Sequence, residues 1–261
     1  MPRVLSLLLP ALAAFLAGCP VLPDDTPVLE FKRTVPKTGA DYYLYVPSTY
    51  DAARRWPMVV TLHGTYGFDS ARREAQEWRG LAERHGFLVL APALKSTQGV
   101  LPVFQSARLR DLARDEARVL EMIAHVKGDY SVDGAAVMIT GFSAGGYPLF
   151  YIALRHPELF SVLVARTCSS DLDVIKSLPI TDKARAMPML IFFSKTGVNP
   201  INSNWNPVAR ESWATFRWLY EQGCTAAEIK AVSGGHHRKP QRAFEFWREH
   251  QPQLRRSQPR R

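Results

Sequence analysis

Cysteine is scarce in this chain, with three residues among 261. Hydrophobic residues make up 46% and charged residues 22%, as in an ordinary globular protein. These values exclude a disordered chain and a protein that crosses the membrane many times. No internal repeat is present in the sequence. A chain of this length can bury a sizeable core, and we expect one domain.

Long apolar runs are also missing, apart from Leu5–Leu16 near the N-terminus, which is too short to span a bilayer comfortably. It follows the positive charge of Arg3 and closes with Leu16-Ala17-Gly18-Cys19, the form of a secretory signal. The ending resembles a bacterial lipoprotein signal, in which cleavage leaves a lipid-modified cysteine. We therefore predict a signal peptide over residues 1–18, lipidation of Cys19 and export to the cell envelope, with plain secretion as the alternative.

Prolines follow the predicted signal at positions 20, 23 and 27, which indicates a stiff spacer between the anchor and the folded domain. The predicted segments are residues 19–40 for the anchor and spacer, 41–250 for the folded domain and 251–261 for a basic tail.

Acidic residues number 24 against 33 Lys and Arg, which gives a net charge of +9. Four arginines of this surplus lie between Arg255 and Arg261. Because no nucleic-acid-binding motif is present, we expect a solvated tail that touches anionic lipid near the anchor and no nucleic-acid partner.

The two cysteines beyond the predicted signal are not expected to pair. Cys168 follows one apolar strand pattern and Cys224 precedes another. In parallel strands these positions lie at opposite ends of the sheet, about 15 Å or more apart at about 3.3 Å per residue. A disulfide needs Cα atoms within about 7 Å.

Apolar strand patterns and helical patterns alternate along most of the chain. This order predicts an α/β fold with a mainly parallel sheet and helices on both faces, in which chemistry gathers at the carboxyl ends of the strands. The predicted strands are Tyr42–Pro47, Trp56–Leu62, Phe87–Ala91, Ala136–Thr140, Val162–Val164, Met189–Phe193 and Ile229–Val232. The predicted helices are Ala71–His85, Asp111–Val126, Pro148–Arg155, Ala209–Gln222 and Pro240–Glu249.

Gly141–Gly145 has the pattern G-x-S-x-G at a predicted junction between strand and helix. Such a turn, the nucleophile elbow, holds its serine in a strained conformation and needs small neighbours to close. A glycine-flanked serine also occurs in ordinary turns, but its place in the alternating pattern favours a nucleophile. Ser143 is the predicted catalytic serine.

Oxyanion donors are expected at two places in such a site. One is the N–H of Ala144, directly after the serine, and the other is the N–H of Thr65, which follows His63-Gly64 at the end of the first buried strand. We interpret His63 as a residue that positions this loop.

The base is expected after the last strand, where the sequence has Ser233-Gly234-Gly235-His236-His237. His236, directly after paired glycines, is the predicted base, and spacing alone leaves the adjacent His237 open.

From Tyr42 to Trp247 the chain resembles the secreted esterases of the polyhydroxybutyrate depolymerase and feruloyl esterase group, within the α/β-hydrolase superfamily. The resemblance implies an α/β-hydrolase fold and a serine esterase that forms an acyl-enzyme on an ester substrate, without a cofactor or a metal. The stretches that carry it are "VVTLHGT", "LAERHGFLVLAP", "DYSVDGAAVMITGFSAGG", "ALRHPELFSVLVA" and "GGHHRKP".

One departure from that family concerns the triad acid. In the family an aspartate follows the strand equivalent to Met189–Phe193, but the loop Ser194–Asn202 contains no carboxylate here. Gly197 fills the expected place, with Asn199 close by. The nearest substitute is Asp171, in the loop after another strand, and a solvated loop aspartate is the alternative interpretation of that residue.

Three functions therefore compete. The first is a serine esterase; the second is a peptidase of the same fold, which would usually carry a gating domain for which we expect no room; the third is a binding lipoprotein that lost the acid. A polysaccharide acyl group, a polyester and a small ester all stay open as substrates.

Overall fold

The computed structural model describes residues 30–97, 105–195, 206–252 and 254. The predicted signal peptide, Cys19 and the arginines of the tail lie outside these residues, as do Gly197 and Asn199. Within the described ranges, no helix is long and apolar enough to cross a membrane.

Eight strands and seven α-helices form within the described part of the chain. The strands are β1 Glu30–Thr34, β2 Asp41–Tyr45, β3 Trp56–Leu62, β4 Leu88–Pro92, β5 Val132–Phe142, β6 Val162–Arg166, β7 Met189–Ser194 and β8 Ala227–Val232. The helices are α1 Ala71–His85, α2 Gln105–Asp129, α3 Gly146–Arg155, α4 Leu172–Lys176, α5 Asp182–Ala186, α6 Pro207–Glu221 and α7 Pro240–His250.

All eight strands join one sheet in the order β1-β2-β4-β3-β5-β6-β7-β8. The first two strands are antiparallel to their neighbours, and the remaining six run parallel. Every residue of β3 and β4 is buried, as expected of central parallel strands that are covered on both faces. The predicted α/β fold is confirmed, and it places the carboxyl ends of the parallel strands at one edge.

Alternate strand residues supply the cores on the two faces of this sheet. Val59 packs in a cluster with Trp78 of α1 and Phe244 of α7. Its neighbour Val60 packs in the opposite cluster, which includes Leu149 of α3. This alternation fixes the strand register, because a slip by one residue would exchange the two faces.

The sheet begins earlier than the sequence predicted, because β1 lies inside the segment 19–40 that was expected to be a spacer. Arg33 pairs with Tyr42 in an antiparallel ladder. The connecting turn contains Gly39 with φ of 64°, a conformation that favours glycine. This polar edge strand has little apolar alternation, so its sequence gave a weak signal.

The predicted basic tail also needs correction at its start. Gln251 and Leu254 are buried, and Leu254 joins the core cluster that contains Trp247 of α7. The prediction that the cysteines do not pair is confirmed, since Cys168 and Cys224 are both free and buried.

Candidate active site

The turn after β5 has the strained geometry expected of a nucleophile elbow. The strand ends at Phe142, and Ser143 has φ of 53°, in the left-handed region that serine rarely adopts. A 3-10 turn over Ser143–Gly145 then leads directly into α3. The sheet and the helix therefore hold a serine in a conformation that costs about 1–3 kcal/mol and is typical of functional sites.

Glycine is required on both sides of the serine because the turn leaves no room for a side chain. A Cβ atom at Gly141 would lie 2.7 Å from the carbonyl oxygen of Gly145. A Cβ atom at Gly145 would lie 2.7 Å from the carbonyl oxygen of His63. The spacing of the glycines is thus dictated by close backbone contact between the elbow and the end of β3.

His63 connects the loops after β3 and β4. Its side chain is buried, its Nε2 accepts a hydrogen bond from the N–H of Leu94 at 3.0 Å, and its Nδ1 lies 2.8 Å from the carbonyl oxygen of Gly64. These contacts agree with the interpretation of His63 as a residue that positions a loop.

The loop after His63 contains the expected oxyanion donor and packs against the serine. The Oδ2 atom of Asp69 accepts the N–H of Gly64 at 2.6 Å. A Cβ atom on Gly64 would lie 3.1 Å from the Cβ of Ser143, so the two backbones are in close contact. The carbonyl of Thr65 accepts the N–H of Asp69 at 2.9 Å. The N–H of Thr65 takes part in no hydrogen bond among the described residues.

Of the two adjacent histidines, His236 is the one that packs against the elbow. Its ring centroid lies 4.8 Å from that of Phe142, the residue before Ser143. The ring of His237 folds over its own turn instead, with Nε2 2.8 Å from where a Cβ on Gly234 would lie. Within the described contacts, no hydrogen bond joins His236 to Ser143.

The surroundings of His236 favour the neutral imidazole. Burial, followed by the nearby positive charge of Arg238 and by His237, lowers its pKa to about 4, and the carboxylate of Asp69 opposes this shift only in part. The imidazole is therefore uncharged at neutral pH, the form that a general base needs. Its Nδ1 atom is buried and has no hydrogen-bond partner among the described residues.

The structure does not bring Asp171, the candidate acid, to His236. Its Oδ2 pairs with Arg108, and its Oδ1 accepts the N–H of Val174 at 3.2 Å as the N-cap of α4. The loop after β6 leads into this short helix, and the cap fixes the carboxylate at the helix end. The loop residues 196–205 contain no Asp or Glu either.

Sequence reasoning missed a group of five charged residues beside the elbow, which we call the buried charge cluster. It consists of Asp69, Glu74, Glu77, Arg166 and Arg238. Arg166, whose side chain is fully buried, approaches Glu74 to 2.5 Å and Glu77 to 3.4 Å. Arg238 forms its own ion pairs with Asp69 and Glu74, and it lies 3.4 Å from Glu77. The cluster joins β6, α1 and the loops after β3 and β8.

The charges of the cluster balance when Glu77 carries a proton. Burial, reinforced by the neighbouring Glu74, raises the pKa of Glu77 to about 7, although Arg166 and Arg238 oppose the shift. Two guanidinium groups then face two carboxylates. Since an unpaired buried charge is costly, this balance explains how the group is tolerated beneath the elbow.

One signal in the sequence could have revealed the cluster. Glu74 lies four residues before Trp78 and one before Ala75, on the apolar stripe of the predicted helix. Residues four apart share a helix face, so the carboxylate had to be buried and needed a cation. The sequence does not show which arginine supplies it.

A match to a known family shows where the chain belongs. The family model described as Esterase matches residues 36–246, most of the chain. The chain belongs to this esterase family. The resemblance noted in the sequence is confirmed at this level.

Two curated relatives carry more specific names. The chain is 30% identical over 122 residues to poly(3-hydroxyalkanoate) depolymerase C of Paucimonas lemoignei, a match that covers 46% of the chain and 29% of that protein. It is 28% identical over 125 residues to acetylxylan esterase A of Talaromyces purpureogenus, covering 48% of the chain and 32% of the relative. The matched segments thus span about a third of these relatives.

Solved structures share the fold. A ferulic acid esterase from Anaeromyces mucronatus superposes with a TM-score of 0.62 at 14% identity, over 88% of this chain and 94% of that one. The α/β-hydrolase fold predicted from the sequence is confirmed.

Proposed function

We propose that this protein is a serine esterase that hydrolyses carboxylic esters through an acyl-enzyme. Ser143 attacks the ester carbonyl, and His236 accepts its proton and returns it to the leaving alcohol. The N–H groups of Thr65 and Ala144 stabilise the oxyanion of the tetrahedral intermediate. The observation that carries this proposal is the left-handed φ of 53° at Ser143, at the junction of β5 and α3.

Three further features support these roles. The chain belongs to an esterase family. The N–H of Thr65 is free of internal hydrogen bonds within the described residues, on a loop in contact with Ser143. His236 is uncharged at neutral pH and packs on Phe142. Together these features support the proposal of a nucleophile, a base and an oxyanion donor on neighbouring loops.

We propose that His236 works without a carboxylate on its Nδ1. The support is that this atom is unpartnered among the described residues, while both oxygens of Asp171 are occupied by other groups. A triad carboxylate orients the histidine and stabilises the imidazolium, and replacing it by an amide costs about 10⁴ in kcat in the serine proteases. The protein should therefore be a slow esterase.

The proposed substrates are polymers that contain ester bonds, either as acyl groups on a polysaccharide or in the backbone of a polyester. The named relatives include a polyhydroxyalkanoate depolymerase and an acetylxylan esterase. Tyr66 and Phe68 flank the oxyanion loop with 61% and 44% of their surface exposed, and they offer aromatic faces to a sugar ring or an aliphatic chain beside the serine. Acetylated xylan and poly(3-hydroxybutyrate) are the two polymers to compare.

The experiment that tests the function measures hydrolysis of p-nitrophenyl acetate, acetylated xylan, poly(3-hydroxybutyrate) and an amide analogue. Slow turnover of the esters, lost in Ser143→Ala and absent with the amide, is the expected result. Preferential cleavage of the amide would favour a peptidase. Turnover that persists in folded Ser143→Ala protein, or no turnover of any ester, would contradict the proposal.

We also propose that the protein is exported and attached to the cell envelope through a lipid on Cys19, on the sequence pattern that ends at this residue. A single acyl chain binds membranes only weakly, so stable attachment needs more than one chain or an added basic segment. Fractionation of cells that express Cys19→Ser tests this. Equal membrane retention of the variant and the parent would refute the anchor.

A further inference from the structure

We infer that Arg238 is a positioning residue that fixes the loop of the base to the loop of the oxyanion donor, so that both surround Ser143 in one geometry. The inference rests on the proposed function and goes beyond it, because Arg238 itself need not touch the substrate. Three sets of contacts support it. The first joins the two loops, the second joins Arg238 to the buried residues Glu74 and Arg166 behind the loops, and the third joins Arg238 to the elbow.

The contacts between the loops run through one aspartate. Arg238 lies two residues after His236, and its Nη2 pairs with Oδ1 of Asp69. The other oxygen of Asp69 accepts the N–H of Gly64 at 2.6 Å, directly before Thr65. A chain of two polar contacts therefore links the loop of the histidine to the donor of the oxyanion site.

The frame behind these loops is buried and belongs to other elements. The Nη1 atom of Arg238 pairs with Glu74 in the first turn of α1, and Glu74 is also bound by Arg166 at the end of β6. The side chains of Arg238 and Glu74 are 7% and 0% exposed. Charge-assisted hydrogen bonds in a buried place are strong and directional, so the guanidinium has little freedom to move.

The third contact reaches the elbow itself. The Arg238 guanidinium lies 4.4 Å from the centroid of the Phe142 ring, and the ring of His236 lies 4.8 Å from the same centroid. Phe142 precedes Ser143 in the chain. The arginine and the base are thus packed on a common ring, one residue from the nucleophile.

The position of Arg238 also affects the protonation of the base. The charged or titratable groups that face His236 are Arg238 and His237 from its own loop and Asp69 from the loop after β3. Burial is the main reason why the imidazole is neutral, and the guanidinium lowers the pKa further because it disfavours a second cation nearby. Loss of this charge should raise the pKa of His236, an effect that a purely structural residue would not have.

The first test compares Arg238→Lys with the parent on p-nitrophenyl acetate. A lysine keeps the charge but cannot bridge Asp69 and Glu74 with a planar fork. We expect kcat to fall about 10- to 100-fold with KM within about twofold, because a small displacement of a catalytic group has an effect of this size. Unchanged kcat in a folded variant would contradict the inference.

A second variant separates positioning from folding. Arg238→Met leaves the cluster with one unbalanced negative charge, and Glu74→Gln in the same chain removes one ionised carboxylate while keeping an oxygen that can accept from Arg166. We expect the double variant to unfold close to the parental temperature but to have a kcat as low as that of Arg238→Lys. Because the pKa of His236 should rise, the acid limb of its kcat/KM profile should move to higher pH. Arg108→Met, which breaks the other arginine–aspartate pair beside the elbow, is the matched control and should leave the limb in place.

The decisive measurement does not depend on turnover. NMR of ¹⁵N-histidine-labelled protein follows the titration of His236 in the parent, Arg238→Lys, the double variant and the control. A shifted imidazole resonance in Arg238→Lys and a raised pKa in the double variant are expected. If neither changes, the inference is overturned even where the esters are cleaved. An inactive parent with these shifts would refute the esterase while leaving the positioning role intact.

Discussion

Among the residues that the structure describes, two arginine–aspartate pairs lie beside the elbow, and their aspartates have different second partners. In the first, Arg108 of α2 pairs with Asp171, which also caps the five-residue helix α4. In the second, Arg238 pairs with Asp69, which also holds the N–H of Gly64. Their side chains are 14% and 18% exposed in the first pair, and 7% and 3% exposed in the second.

The difference shows that the chemical type of a pair does not decide its role. The second oxygen of Asp171 serves a local helix end, whereas that of Asp69 serves the loop of a proposed oxyanion donor. Arg108 has one carboxylate partner among the described residues, while Arg238 reaches three. A substitution in the first pair should therefore affect only the local structure, and a substitution in the second pair should lower kcat.

The largest effect is expected from a substitution of the base, and it tests which of the two histidines the second pair positions. His236→Ala should lower kcat by about 100-fold or more, because triad residues act as a unit and an enzyme without the acid has only the remaining part of that rate enhancement to lose. His237→Ala should lower kcat less than about tenfold, since its ring folds away over Gly234. Steady-state kinetics on a p-nitrophenyl ester give both values. Reversed effects would assign the base to His237 and break the comparison.

A smaller effect on kcat is expected when the aspartates of the two pairs are each replaced by asparagine. Asp69→Asn should lower kcat about 10- to 100-fold, because a neutral amide weakens both the ion pair with Arg238 and the support of Gly64. Asp171→Asn should change kcat less than about threefold, since asparagine caps a helix as well as aspartate does. Circular dichroism controls for folding. A loss of several orders of magnitude in Asp171→Asn would make that residue the missing acid.

The elbow could be predicted from the sequence because its physics is local. Close backbone contacts at this turn need glycine at 141 and 145, and a serine between such glycines at a strand-to-helix junction is a pattern that the sequence shows directly. The alternation of apolar runs predicted the parallel sheet, and the helical spacing predicted the bounds of helix α1. In the structure Ser70 caps the start of this helix and Gly86 ends it. Such features are complete within a few neighbouring residues.

The charge cluster could not be predicted because its members come from separate elements. Glu74 lies on a helix, Arg166 ends a strand, and Asp69 and Arg238 lie in loops that are far apart in the sequence. Nothing in the local pattern states that Arg238 is buried, since a basic residue after two histidines is usually exposed. Asp171 also depends on a distant element. Its place near a strand end suggested a triad acid, but in the structure it caps helix α4 and pairs with Arg108 of α2.

The smallest expected effect on turnover is at Glu77, at the margin of the second pair. Because Glu77 is protonated in the folded cluster at pH 6, Glu77→Gln should leave kcat there within about twofold, but it should change how stability depends on pH. The pKa of Glu77 is raised to about 7 from 4.5. Both states of the parent are protonated below pH 4.5. As the pH rises towards 7 the unfolded chain ionises first, so the parent loses stability over this window.

Glutamine cannot ionise, so the variant lacks that loss. The free energy of unfolding of Glu77→Gln, minus that of the parent, should increase from pH 4.5 to pH 7 by no more than a few kcal/mol and then level off. Urea denaturation at each pH measures the difference, with Glu221→Gln at the exposed end of α6 as a control for the loss of one carboxylate. A difference that decreases over this window would mean that Glu77 is ionised in the folded cluster, and that the three carboxylates around Arg238 hold an excess negative charge.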